Sequence, residues 1–507
     1  MKKKIIFLIL FKLSLISLYA QLISNHNAIP QPALSKPAMG VPYIDPVFNS
    51  SIERITNASA GNIPGIFPDY SKHQAWNADE SMIMLRNGDG EVLFYSGTNY
   101  QYIKTFPSFI TGLQDIFWDP VNPTLVYYAF ENTFNEINEQ TEQVTVLHTF
   151  SNYSYISTRA EGNMSNDGRY IAMCGYDANW IPIDFFVYDA LLDSLVSTIN
   201  VSNLVTDFDW ISVSPLGNFV VVDYADGTTG AYHGLEVYNR QLNLLWQKPL
   251  GSGHSDLGLD NSGKEVLVMD VYDPDSNMTY IRKFGLQDSS VTTLLGISAE
   301  FDMHESCRSM SRPGWVYVST FDYIARLTDD SLSWLPFEDE VFALKMDGSG
   351  DVQRFVHHHS RRFSPTTPNP DSSVYFAEPH ATVNNNGTRI LFGSNWRQNV
   401  EADTSIDAYI CNVNALITSN EDLIFKHQNE VSIFPNPFQT IASIKTNFDL
   451  KNAELKIYNM LGQEMKIINN ISFRQIAINM ENLAGGIYFY KLSENNILLA
   501  TGKFIVE

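Results

Sequence analysis

Seven stretches of this 507-residue chain share one pattern: an ionisable side chain, a short apolar strand, a Gly- or Asn-containing turn, and a second strand of alternating apolar residues. They are HQAWNADESMIML from His73, DIFWDPVNPTLVYY from Asp115, EGNMSNDGRYIAM from Glu161, DWISVSPLGNFVVV from Asp209, HSDLGLDNSGKEVLVM from His254, HESCRSMSRPGWVYV from His304 and HATVNNNGTRILF from His380. Four of the chain's 11 histidines hold the opening position, and carboxylates hold it in the other three copies. Imidazole and carboxylate gathered in one place suit two chemistries, divalent metal binding and proton transfer near neutral pH. A single residue of this kind more often caps backbone amides; recurrence at one repeat position lifts the set above that.

Two long insertions fall near the last of these units, DYIARLTDDSLSWLPFEDE at 322–340 and HHHSRRFSPTTPNPDSSVYFAEP at 357–379. The second opens with His357, His358 and His359 and ends beside His380. At a strand end His357 and His359 share a direction, so with Glu378 and His380 they form the expected ligand set for one divalent metal ion. His254, His304 and Arg308 are the expected catalytic groups, imidazole to take a proton and guanidinium to neutralise an anion. His73, Glu161, Asp209 and Asp256 are expected to bind ligand at the same place, and Glu161 with Asp256 would support hydrolysis if their separation suited it. Other signatures are missing from the sequence: GHSDLG at 253–258 is not a nucleophile elbow, there is no phosphate-binding or dinucleotide glycine motif, and DVYDPDSN lacks the glycine and distal Glu of a calcium-binding loop and reads as a polar turn.

The elements that must position these residues are short strands. Turn glycines Gly168, Gly217, Gly263 and Gly314 are 49, 46 and 51 residues apart. A period in the forties, with room for four strands per unit and almost no helical periodicity, describes propeller blades. DFFVYD (184–189), GLEVYN (234–239) and VFALKM (341–346) fit as outer strands. The expected fold is all-β, a seven-bladed propeller over residues 51–416, with SIERITNA (51–58) closing the ring by pairing near Tyr409–Val413. In such a blade the first strand starts on one face and four strands return the chain there, so the seven opening residues ring one mouth of the channel. SNDG, SPLG and NNNG resemble the S-P-D-G turns of TolB-like and WD40-like propellers. Residues 378–393 resemble the final blade of oligogalacturonate lyases, which implies β-elimination of pectin fragments by a divalent metal and a basic residue. That resemblance puts His380 on a metal-ligand position and Glu378 where the family carries a histidine.

MKKKIIFLILFKLSLISLYAQ reads as a signal peptide (1–20) followed by an N-terminal extension (21–50). After a polar linker (417–430), the P-N-P at Pro435–Pro437, Tyr458–Gly462 (Y-N-x-L-G) and Leu483–Tyr488 (L-x-x-G-x-Y) resemble the type A C-terminal sorting domain of the type IX secretion system of Bacteroidetes. This implies an Ig-like β-sandwich over 431–507, read by the outer-membrane translocon. Loss of the leader with its four lysines takes the formal charge from −23 to −27. Such an acidic surface repels phosphate, which argues against nucleic acid as partner. No later stretch has the roughly 18 apolar residues of a membrane helix, so a soluble, secreted or surface-held monomer is expected. The three cysteines are far apart, and free buried thiols are expected. The expected function is to act on or bind polysaccharide at the propeller mouth, lyase-like if catalytic; the alternative is a non-catalytic propeller that binds glycan or protein.

Overall fold

A computed structural model describes residues 22–506 except 59–64, 108–114, 203, 206, 225–232, 251–252, 323–332, 361–375, 397–405, 414–430, 435–440, 447–449, 460–462, 473–474, 480–483 and 495–496. The segments read as signal peptide and linker, and much of the two insertions, therefore lie outside the described residues. The described chain is built of strands, without an α-helix, and forms two compact units, one reaching to Thr418 and one from Ser419 onward.

The first unit holds seven antiparallel sheets, six of four strands and one of five. Their innermost strands are Ile66–Phe67, Ile116–Trp118, Tyr155–Ser157, Trp210–Val213, Ser255–Leu259, Phe301–Ser306 and Thr382–Val383, which open blades 1 to 7 in order. Second strands such as Phe219–Asp223 (FVVVD) and Tyr170–Tyr176 (YIAMCGY) are buried on both faces because each blade is sandwiched between two others. That is why they read as continuous apolar runs rather than alternating ones. One buried cluster fills each gap: Phe94 with Trp118 between blades 1 and 2, Phe134 with Phe186 between 2 and 3, and Phe185 with Val222 between 3 and 4. Val237 with Leu267, Ile281 with Phe342, and Phe355 with Phe392 fill the next three, and Leu391 with Trp76 joins blade 7 to blade 1. Seven interfaces for seven blades close the ring.

Closure is made by pairing of the two ends. Ser51–Arg54 lies antiparallel to Asp407–Asn412, with Ser51 opposite Asn412 and Arg54 opposite Tyr409. Tyr43–Ile44 then adds a fifth, outermost strand, so the blade begins inside the segment read as an extension. Residues before it are docked as well: the Arg354 guanidinium donates to the carbonyls of Asn25 and Asn27 (3.0 and 2.7 Å), and Trp396 donates to Leu34 O. The repeated turns need their glycines, since Gly168, Gly217, Gly263, Gly314 and Gly387 have φ between 69° and 86°, a region that a Cβ disfavours.

Two inner strands are interrupted, and the interruptions matter for the site. In blade 1 Phe67 pairs with Arg86 and Trp76 with Ile83, and Met84 N–H bonds to Ala75 O, so residues 68–74 leave the ladder. In blade 3 Ser157 pairs with Cys174 while Ser165 N–H bonds to Tyr170 O, and the loop between them carries Arg159 and Ala160 at positive φ.

The second unit packs a three-stranded sheet (Val431–Phe434, Ile441–Thr446, Gln475–Asn479) and a four-stranded sheet (Ala453–Tyr458, Glu464–Ile471, Gly486–Glu494, Ile497–Val506) around Ala442, Leu455, Ile457, Tyr490, Leu492 and Phe504. It is a small β-sandwich with its own core.

Candidate functional site

Blades 5, 6 and 7 bring three of the repeated histidines together where their inner strands begin. His254 immediately precedes its strand, His304 lies within Phe301–Ser306, and His380 stands just before Thr382–Val383. The His254 and His304 rings are 4.2 Å apart centre to centre, and those of His304 and His380 4.3 Å. Glu378 completes the group: its Oε2 lies 3.7 Å from Nε2 of both His304 and His380. The side chains of His304, Glu378 and His380 are buried, and one ligand atom from each falls within 4.8 Å of the others. A tetrahedral ion with bonds near 2 Å separates its ligands by about 3.3 Å, so two imidazoles and a carboxylate at these distances fit a divalent ion after shifts of an ångström or less.

Local backbone explains how Glu378 and His380 face one point. Pro379 restricts Glu378 to extended conformations, its carbonyl accepts from Gly393 N–H at 2.9 Å, and His380 takes φ +40°. Histidine tolerates this region better than most side chains. Burial and the neighbouring charge of His254 push the His380 imidazole down to about 3, so at neutral pH it is unprotonated and ready to coordinate. Burial also pulls the His254 imidazolium down, but its hydrogen bond with Asp302 at 3.2 Å and the charges of Asp302, Asp270 and Glu378 outweigh this and hold it up at about 9.

Blade 1 supplies a cover. The excursion of residues 68–74 puts the Tyr70 ring 5.6 Å from that of His304 and 5.3 Å from that of His380. His73 contributes from the same excursion, with Nδ1 2.6 Å from Asp69, and Arg86 holds the other oxygen of that carboxylate. Burial alone would raise Asp69, yet Arg86 and His73 bring it down to about 2. Lys72 reaches Glu161 of the blade 3 excursion at 2.7 Å and lies 4.2 Å above the Trp210 ring.

The remaining expected residues have other tasks. The guanidinium of Arg308 is spent on Asp256, with Nε to Oδ2 at 3.0 Å and Nη2 to Oδ1 at 2.8 Å, and Nη2 also reaches Leu257 O at 2.7 Å. An arginine so occupied has little left to offer a ligand carboxylate. Asp115 accepts from Ser157 Oγ and Thr158 N, the capping role open to an acid at this position. Asp209 donates its backbone N–H to Asp223 O, and burial raises its carboxyl. His357 and His359 lie apart from Glu378 and His380: His357 bonds through Nε2 to Ile29 O at 3.0 Å, His359 stacks on Trp396 at 4.2 Å, and their own rings are 6.5 Å apart. The reason is that Val352–His357 is the outermost strand of blade 6, far along the sheet from the channel. Asp302 and Tyr70 are the residues sequence reading missed. The D-x-H spacing of Asp302 and His304 on one strand was the available signal for the first, whereas Tyr70 lies in an excursion that no repeat marks.

His357 carries a pH prediction. Burial pushes its imidazole down to about 3, so the unfolded chain binds the proton first and stability falls as pH drops below the ordinary 6.5, by roughly 1.4 kcal/mol per pH unit. His357→Gln keeps a donor for Ile29 O and is expected to flatten the loss between pH 6.5 and 3, as read by urea denaturation at several pH values. Equal slopes for the two proteins would contradict this assignment.

Comparison with known proteins adds two findings. Residues 432–507 match the family model of the secretion system C-terminal sorting domain. No curated protein matches the chain in sequence. Among solved structures, an oligogalacturonate lyase in complex with manganese is similar at a TM-score of 0.52, with 13% identity over 78% of this chain and 98% of that one. An oligogalacturonate lyase from Vibrio parahaemolyticus gives 0.52, with 12% identity over 74% and 96%. At such identity the likeness establishes the propeller fold. The tail marks the chain as type IX secretion cargo and points to the cell exterior or surface. No helix among the described residues is long and apolar enough to cross a membrane.

Proposed function

We propose that the propeller is a metal-dependent lyase acting on uronate-containing polysaccharide outside the cell. The observation that carries this reading is the convergence of His304, Glu378 and His380, with His254 against His304. The donor set suits a divalent first-row ion, since imidazole favours transition metals and carboxylate extends the range to manganese. Bound there, such an ion would neutralise a uronate carboxylate and so acidify the proton α to it.

The chain's own residues supply the rest. Glu378 and His380 are buried ligands on a backbone set by Pro379, so the coordination geometry is formed before substrate arrives. His254, beside His304, is placed to take the α proton in its unprotonated form, which prevails above about pH 9: the C5–H bond breaks, its electron pair forms the C4–C5 double bond, the O4 glycosidic bond breaks, and the leaving O4 receives the proton back from His254. Asp302 orients His254 through the 3.2 Å contact and stabilises its protonated form. Tyr70, packed on the His304 and His380 rings, shields this face from water.

The test is a screen of acidic and neutral polysaccharides with manganese present, read by ultraviolet absorbance of unsaturated products. Absorbance is expected to rise with polygalacturonate and to vanish with chelator. A metal-loaded protein that binds polygalacturonate without producing absorbance would replace the lyase by a binding propeller.

A further inference from the structure

We propose that blade 3 carries a second, outer glycan subsite at the same mouth of the channel, in which Trp180 stacks on a sugar ring and Arg159 pairs with a uronate carboxylate. The inference deepens the reading above and rests on it.

Trp180 lies in the turn Asp177–Ile181 between strands Tyr170–Tyr176 and Pro182–Asp189. Tyr176 pairs with Tyr155, the first residue of the inner strand, so this turn is on the face where inner strands begin, the face of His254, Glu378 and His380. The turn is held rigidly. Asp177 Oδ1 accepts from the N–H groups of Asn179 and Ile181 (2.8 and 2.9 Å), and its own N–H donates to Ile181 O at 3.0 Å. Trp180 itself sits at φ +60°, a conformation that bulky residues avoid and that clusters at ligand-binding positions.

The ring is a backed platform. Tyr155 lies parallel to it at 4.3 Å with a 10° tilt, and Tyr176 is 5.3 Å away. One face is covered by Tyr155, yet the residue is 53% exposed, which leaves the other face open to solvent. The negative π face of an aromatic ring attracts the slightly positive C–H face of a sugar, and a pre-stacked ring loses little freedom on binding.

The aromatic row continues toward a cation. Tyr176 is stacked with Phe208 at 6.4 Å, and the Arg159 guanidinium lies 5.6 Å over the Phe208 ring. Arg159 projects from the blade 3 excursion at φ +66°. Its partner is Asp207 at 3.0 Å, and both side chains are exposed, 41% and 59%. Exposed pairs of this kind contribute little, so Arg159 can exchange Asp207 for a carboxylate on the ligand. In a chain of net charge −23, an exposed cation on the same blade as an open tryptophan, two rings along the aromatic row from it, selects an anionic glycan over a neutral one.

The test measures affinity of the full, manganese-loaded chain for digalacturonate and tetragalacturonate by calorimetry, with Trp180→Ala and Arg159→Gln. Both variants are expected to weaken tetragalacturonate binding roughly tenfold, to leave digalacturonate binding and the melting temperature unchanged, and to leave digalacturonate turnover intact. Equal affinities for wild type and variants with tetragalacturonate, while the wild type still cleaves it, would overturn the subsite and spare the lyase reading. Equal weakening for both lengths would place Trp180 in the inner site and overturn the outer one. A wild type that binds neither probe would overturn both.

Discussion

His380→Asn is expected to strip the protein of its divalent ion and to abolish turnover, while the melting temperature of the metal-free protein stays level or rises. Asparagine tolerates the left-handed backbone at this position, so the φ of +40° is not a source of strain in the variant. What is lost is one of three ligand atoms. Even outer partners of a metal ligand cost roughly 10- to 100-fold in affinity when removed, and a direct ligand costs more than that. Stability should not fall, because the wild-type ring is buried against His304 and beside the positive charge that His254 carries below about pH 9. Calorimetric metal titration and thermal melts with chelator decide the matter. A variant that keeps the wild-type metal affinity but melts several degrees lower would make His380 a structural residue.

The second large effect concerns export. The chain shortened to residues 1–418 is expected to fold, to melt as the propeller does within the full protein, and to accumulate in the periplasm with essentially none outside the cell. The two units have separate cores, one of seven inter-blade clusters and one centred on Leu455 and Tyr490, so each inter-blade cluster of the propeller is complete without a residue of the tail. Residues 432–507 carry the match to the sorting domain, and the shortened chain lacks them. Fractionation of cells expressing the two forms reads the outcome. Release of the shortened chain into the medium at the level of the full one would contradict the assignment.

The architecture was legible because propellers repeat. Gly168, Gly217, Gly263 and Gly314 mark the same turn by spacing alone, and the conformation they adopt allows few other residues. The shared opening position of His254, His304 and His380 was legible for the same reason, and with Glu378 it led to the cluster. Position along a blade was harder to read. His357 and His359 stand beside His380 in the sequence because a loop joins them, but they close an outer strand while His380 opens an inner one. Arg308 looked available as a charge because Asp256, its partner, is 52 residues away on another blade. The excursions that carry Tyr70, Lys72 and Arg159 break the ladder without a positive-φ glycine to mark them, since Arg159 and Ala160 take positive φ without being glycine. Repeats reveal what recurs, and these features occur once.

A crystal structure grown with manganese, read by its anomalous scattering, tests the central claim most directly. The account predicts one strong peak per chain within about 2.2 Å of His304 Nε2, His380 Nε2 and a Glu378 oxygen, absent from crystals of His380→Asn. A peak held by other residues, or none at those three atoms under saturating manganese, would contradict it.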